Sequence, residues 1–178
     1  MRIATFVYNG TRQVGQVSED GQQVTPFALS TEQARRGALP LIEAAVEGRP
    51  LPAFAGAPLA LASVQLQAPL PLPRRNLWCV GRNYHAHAKE LSASVFKDSN
   101  ADTKAWPIVF TKVPECVVGP FDDVQLPGAA VSEQIDYEAE LAVVIGQGGK
   151  NITQAQAMQH VFGYTVVNDV TARDVQMR

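Results

Sequence analysis

Apolar and polar residues alternate with period two near the start of the chain, and that alternation marks the first strands. Ile3 to Val7 leads into Asn9-Gly10, a dipeptide suited to a two-residue hairpin turn, and Arg12 to Val17 returns. Glu19-Asp20-Gly21 marks a second turn before Gln22 to Val24. A helix is predicted from Thr31 to Glu47: Ser30 and Gln33 have the spacing of a capping box, and Gly48 supplies the stop. The pattern then lapses. Pro50, Pro52, Pro58, Pro69, Pro71 and Pro73 punctuate an Ala/Leu-rich stretch. Proline at that density excludes a long helix or a central strand, leaving Val64 to Gln67 as a short strand. A boundary placed here divides a small N-terminal β/α domain, residues 1–70, from a second domain, residues 71–178.

Beyond the prolines, Asn76 to Val80 reads as a strand ending at Gly81, and Tyr84 to Leu91 as a helix with Asn83 at its N-cap. Residues 92–106 are polar and turn-prone, a length that marks a mobile or functional loop. Pro107 to Lys112 and Glu133 to Ile145 follow as strands. Thr153 with Gln156 is placed to cap a helix through His160. Gly163 to Val170 is the last strand, and Thr171 to Met177 begins a further turn or helix. Gly146-Gln147-Gly148-Gly149-Lys150 lacks the spacing of a nucleotide-binding loop and reads as a tight turn.

Chemistry concentrates in the strand from Glu133 to Ile145. Residues two apart on a strand share a face, so Asp136, Glu138 and Glu140 project the same way. After Glu140 the run is almost wholly apolar, as expected for a strand entering a core. Anions beside a core are costly unless a cation neutralises them. The pattern therefore reads as a divalent-metal site, with Asp169 of the next strand as a further ligand. All-oxygen donors favour Mg²⁺, Mn²⁺ or Ca²⁺ over zinc. The competing reading is a solvated face of an edge strand. On the predicted helix, His87 and Glu90 lie three apart and share a face, as a general base and its orienting carboxylate would, or as a surface pair would. His85 and His87 diverge on a helix, which argues against zinc there.

Composition narrows the classes. The 178 residues are 46% hydrophobic and 18% charged, enough to bury a core. A net charge of -2 and a pI near 5.9 give no electrostatic case for nucleic acid. No apolar run has the length of a membrane span, and Met1 to Val7 lacks a signal-peptide core. Cys79 and Cys116 make no disulfide framework and fit a reducing cytoplasm, with Cys79 read as a buried filler.

Three blocks carry a family resemblance. Gly81-Arg82-Asn83-Tyr84 with His87 and Glu90, Asp136-Tyr137-Glu138-x-Glu140-Leu141, and Gly163-Tyr164 through Asn168-Asp169-x-Thr171-Ala172-Arg173-Asp174-Val175-Gln176 resemble the fumarylacetoacetate hydrolase family in order and spacing. The resemblance is close over residues 74–178 and weaker before them. It implies an α+β, β-rich fold: a small N-terminal β/α domain, then a mixed β-roll that is incomplete here. It also implies a cation, Mg²⁺ or Mn²⁺, held by Glu138, Glu140 and Asp169, and a water-activating dyad of His87 and Glu90. Arg173, Gln176, Tyr84 and Lys112 are its implied substrate contacts.

The implied reaction is hydrolysis of a C–C bond in an acylpyruvate-like 2-oxo acid during aromatic or amino-acid catabolism. Decarboxylation of a 2-oxo acid, or isomerisation of 2-hydroxyhepta-2,4-diene-1,7-dioate, would reuse the same enolate, and the 92–106 loop would close over the substrate. A cytoplasmic homodimer is the implied setting. Family members continue past the position of Arg178 with a lysine in a Gly-Lys-Ser-Phe-like segment, which neither Lys112 nor Lys150 matches. The expectation is that this polypeptide alone is impaired in catalysis. A second expectation is a non-catalytic association module whose open sheet a partner completes.

Overall fold

Asn9 and Gly10 close the first hairpin with φ of 48° and 75°, the pair of positive values that a type I′ turn requires. They join β1 (Arg2–Tyr8) to β2 (Thr11–Val17), with Tyr8 opposite Thr11 and Thr5 opposite Val14. β3 (Gln23–Pro26) pairs with β2, while β4 (Leu59–Ala60) and β5 (Gln65–Gln67) take the two outer edges, giving the order β4-β3-β2-β1-β5. The proline-rich stretch thus contributes only short edge strands, where a missing N–H costs no ladder bond. Phe6, Val14, Val24 and Leu41 are fully buried, and Phe27 stacks on Phe54 with ring centroids 5.1 Å apart. Gly15 has a steric reason: a Cβ there would lie 2.6 Å from the Thr25 carbonyl oxygen.

The helix predicted from Thr31 to Glu47 is two helices, α1 (Thr31–Arg35) and α2 (Leu39–Val46). Gly37 at φ 62° turns the chain out of the first, and Pro40 starts the second. Both halves of the Ser30–Gln33 capping box form, and Gly48 ends α2 at φ 65°.

The computed structural model describes residues 1–81 and 106–176. They fall into two compact units, Met1–Leu70 with Val118–Arg178, and Pro71–Val117. In the latter, β6 (Leu77–Gly81) runs antiparallel to β7 (Ile108–Lys112), with Cys79 opposite Phe110. Cys79 is half-buried rather than buried, and Cys116 is exposed. The predicted helix from Tyr84 to Leu91 lies outside the described residues, as does residue 92–105 of the predicted loop.

The other unit continues through β8 (Ile135–Asp136), β9 (Ala139–Ile145), α3 (Gln154–Ala157), a 3₁₀ turn (Met158–His160), β10 (Val161–Asn168), β11 (Thr171–Ala172) and α4 (Arg173–Gln176). β9 pairs with β10, and β8 with β11. The strand predicted from Glu133 to Ile145 therefore breaks at Tyr137–Glu138. Side chains replace the ladder there: Tyr137 N donates to Asp136 Oδ1 at 2.9 Å and Glu138 N to Asn168 Oδ1 at 3.1 Å. Thr153 does not cap α3 through its side chain, because its hydroxyl donates to Gln156 Oε1 at 2.8 Å.

The apolar run after Glu140 does not enter a core on both faces. Leu141, Val143 and Ile145 of β9 are exposed, as are Tyr164 and Val166 of β10, which sit opposite Val143 and Leu141. The chain is α+β and β-rich, as the family resemblance implies. Among the described residues no helix is long and apolar enough to cross a membrane.

Candidate functional site

The carboxylates meet where two strand pairs part company. In the β9–β10 ladder Glu140 faces Val167 and Ala139 faces Asn168. Just past it, Asp169 N donates to the Glu138 carbonyl oxygen at 2.8 Å, so these two residues occupy neighbouring backbone positions. Two residues on, Thr171 enters β11 opposite Asp136 of β8. Asp169 is 9% exposed; Glu138 is half-buried just before β9, and within β9 Glu140 is half-buried on the same side as Ala142 and Val144. The alternation holds from Tyr137 onward, where Glu138 and Glu140 are each half-buried between exposed neighbours, whereas Asp136 follows a half-buried Ile135.

Arg173, at the start of α4, reaches into this group. Its Nε donates to Asp136 Oδ2 at 2.9 Å, Nη2 lies 2.8 Å from the same oxygen, and Nη1 lies 3.1 Å from Glu138 Oε1. Nη1 also donates to Gln176 Oε1 at 3.1 Å. Burial opposes the guanidinium charge, but the hydrogen bond to Asp136 and the charges of Glu138 and Asp136 outweigh it, holding the pKa above the ordinary arginine value. The helix is anchored independently. Arg173 N donates to the Gln134 carbonyl oxygen at 2.8 Å, while Asp174 accepts from the buried Ser132 hydroxyl at 2.5 Å and from Glu133 N at 3.3 Å.

Asp136 is thereby held by Arg173 through two nitrogens and by its own neighbour's N–H, while Glu138 meets the same guanidinium through one. Thr171 joins the group without having been singled out: its hydroxyl lies 2.9 Å from Glu138 Oε1. The signal that could have found it is local. Thr171 stands two residues after Asp169, the same strand spacing that linked the glutamates.

Glu138 and Asp169 are joined through their backbones and Glu140 follows two residues on in β9, so the three carboxylate-bearing residues occupy adjacent segments, with Asp169 buried. Arg173 contacts two carboxylates, Asp136 and Glu138, and an all-oxygen set drawn from Glu138, Glu140 and Asp169 is of the kind that hard divalent cations take. The donor chemistry fits such an ion. Among the described residues, no three His, Cys, Asp or Glu side chains are gathered into a ready-made metal cluster. Tyr84, His87 and Glu90 lie outside the described residues, and Lys112 lies in β7 of the Pro71–Val117 unit.

Residues 76–178 match the family model of the fumarylacetoacetate (FAA) hydrolase C-terminal domain. The oxaloacetate tautomerase YisK of Bacillus subtilis is 49% identical over 119 residues, 67% of this chain and 37% of that protein. The solved fumarylacetoacetate hydrolase of Exiguobacterium antarcticum is 34% identical with a TM-score of 0.74, over 99% of this chain and 58% of that one. Maleylpyruvate hydrolase of Sphingobium sp. SYK-6, solved with manganese(II) and pyruvate, shares the fold at a TM-score of 0.68 and 24% identity, over 97% of this chain and 60% of that one. The chain thus spans less than two thirds of each of these relatives, and little more than a third of the tautomerase. The family model covers more than half of the chain, including every carboxylate of the site and Arg173, and the chain belongs to the fumarylacetoacetate hydrolase family.

Proposed function

We propose that this chain carries the cation-binding part of an enzyme acting on 2-oxo acids, and that its reaction is keto–enol tautomerisation of an oxaloacetate-like diacid. The observation that carries the reading is the backbone pairing of Asp169 with Glu138, which places a buried acidic residue next to Glu138 and two positions from Glu140 of β9. Glu138, Glu140 and Asp169 would hold Mg²⁺ or Mn²⁺. When bound, such an ion supplies Lewis acidity at a 2-oxo oxygen and stabilises the enolate. The choice of tautomerisation draws on the 49% identity to a protein named for that activity.

Arg173 keeps a positive charge at the edge of the carboxylate group at any working pH, and with Gln176 beside it can orient a substrate carboxylate. In the tautomerisation a C3–H bond breaks, a C2=C3 bond forms, and one proton is returned to the 2-oxygen; nothing leaves the substrate. His87, with Glu90 to orient it, is the base that the family resemblance supplies for the C3 proton.

A second reading is hydrolysis of an acylpyruvate C–C bond, favoured by the 34% identity to the Exiguobacterium hydrolase. It requires His87 to activate water rather than take a carbon-bound proton. One assay separates them. Purified chain with Mn²⁺ is expected to speed the decay of the enol absorbance of oxaloacetate, and Glu138→Gln to abolish the effect. Decay no faster than with Mn²⁺ alone, or decay indifferent to Glu138→Gln, would overturn the proposal, while release of pyruvate from an acylpyruvate would select the second reading.

A further inference from the structure

Glu138 is held by more than its place on the strand. The Thr171 hydroxyl is 2.9 Å from Glu138 Oε1 and 3.2 Å from the Asp169 carbonyl oxygen. A hydroxyl has one proton to donate, and the nearer, ionised acceptor takes it. The same Oε1 is approached by Arg173 Nη1 at 3.1 Å. One carboxylate oxygen, with its two lone-pair directions, therefore serves both a hydroxyl and a guanidinium.

These contacts close a ring. Thr171 pairs with Asp136 across the β8–β11 ladder, Asp136 holds Arg173, Arg173 contacts Glu138, and Glu138 accepts from Thr171. Each member is fixed by a different element: β11, β8, α4 and the β8–β9 break. A free glutamate side chain loses rotamer freedom when it is immobilised, so a ring that immobilises it beforehand favours whatever the carboxylate then binds.

We infer that Thr171 and Arg173 are positioning residues for Glu138. They hold Oε1 and fix the rotamer in which Glu138 ligates a divalent cation through its other oxygen, and Asp136 acts one step further back by holding Arg173. This rests on the cation reading of Glu138, Glu140 and Asp169. The choice of Thr171 for the main test follows from charge: removing Arg173 would also remove a repulsive cation, whereas Thr171→Val is nearly isosteric and neutral.

The test measures the Mn²⁺ dissociation constant by calorimetry for the wild-type chain and for Thr171→Val, Thr171→Ser, Arg173→Lys and Glu138→Gln. Loss of an outer partner of a metal ligand commonly weakens binding about 10- to 100-fold. Thr171→Val is expected to fall in that range, Thr171→Ser to recover most of the loss, and the metal-free thermal midpoint of both to stay near wild type. Arg173→Lys keeps the charge but loses the fork, and should weaken binding about tenfold. If Thr171→Val fails to fold, Arg173→Lys and Thr171→Ser carry the decision. Wild-type binding that needs Glu138 but is unchanged in Thr171→Val and Arg173→Lys would overturn the positioning role and leave the cation reading standing. Absence of Mn²⁺ binding by the wild-type chain would remove both.

Discussion

Arg173 grips Asp136 through two nitrogens on one oxygen, Nε at 2.9 Å and Nη2 at 2.8 Å from Oδ2. The pair ties α4 to β8 and reserves Asp136 for a cation that the chain itself supplies. Asp136→Asn keeps the shape but removes the charge. Because the Asp136 side chain is 45% exposed, solvent screens the pair, and the expected loss is about 1 kcal/mol, below the range for buried charged hydrogen bonds. A shift in the urea midpoint with an unchanged slope checks this.

Mn²⁺ should stabilise the fold if Glu138, Glu140 and Asp169 bind it in the native state alone. At a hundredfold excess over the dissociation constant the gain is about 2.7 kcal/mol, read as a rise in thermal midpoint. Chelator should reverse it. The double variant Glu138→Gln/Glu140→Gln should show no rise, and an undiminished rise in that variant would place the ion elsewhere.

Gly15→Ala should destabilise the N-terminal sheet, because its Cβ would meet the Thr25 carbonyl oxygen at 2.6 Å and Val24 Cγ2 at 2.8 Å. Backbone on one side cannot swing away, so the cost belongs with overpacking at about 1–3 kcal/mol. Equilibrium denaturation measures it; a neutral result would mean that β3 can move off β2.

The turn after β2 should depend on acid. Asp20 accepts from the Ser18 hydroxyl at 2.5 Å and from Gln22 N at 3.0 Å, and these bonds, the Ser18 bond first, lower its pKa below 3.8. A lowered carboxylate pKa contributes stability above the ordinary value that disappears as pH falls through the folded-state value. The difference in midpoint between wild type and Asp20→Asn should therefore be present at neutral pH and close as pH drops below 3.8.

Leu141, Val143, Ile145, Tyr164 and Val166 make a continuous exposed apolar face on β9 and β10. Such a face drives association. Val143→Lys should lower the apparent mass of the chain in light scattering at micromolar concentration without lowering its thermal midpoint. An unchanged mass would mean that this face is not where copies meet.

Local signals were the legible part. Asn9-Gly10, the Ser30–Gln33 box and the stop at Gly48 each act within a few residues, and all three form as the sequence predicts. The split of the Thr31–Glu47 helix was encoded locally too, in Gly37 and Pro40, but the continuous apolar pattern through them hides it. The break at Tyr137–Glu138 was not legible in that way. It depends on the Asn168 side chain reaching Glu138 N across 30 residues.

The candidate site divides along the same line. By itself, the sequence determined that acidic residues alternate along one strand face and that a third carboxylate and an arginine follow at the next strand, because periodicity is a property of neighbours. Only the tertiary structure decided which carboxylate belongs to which cation. Asp136 and Arg173 stand 37 residues apart, and Thr171 reaches Glu138 across 33. Charges that look equivalent along a strand become different once an antiparallel ladder and a short helix bring a guanidinium to two of them and a hydroxyl to Glu138.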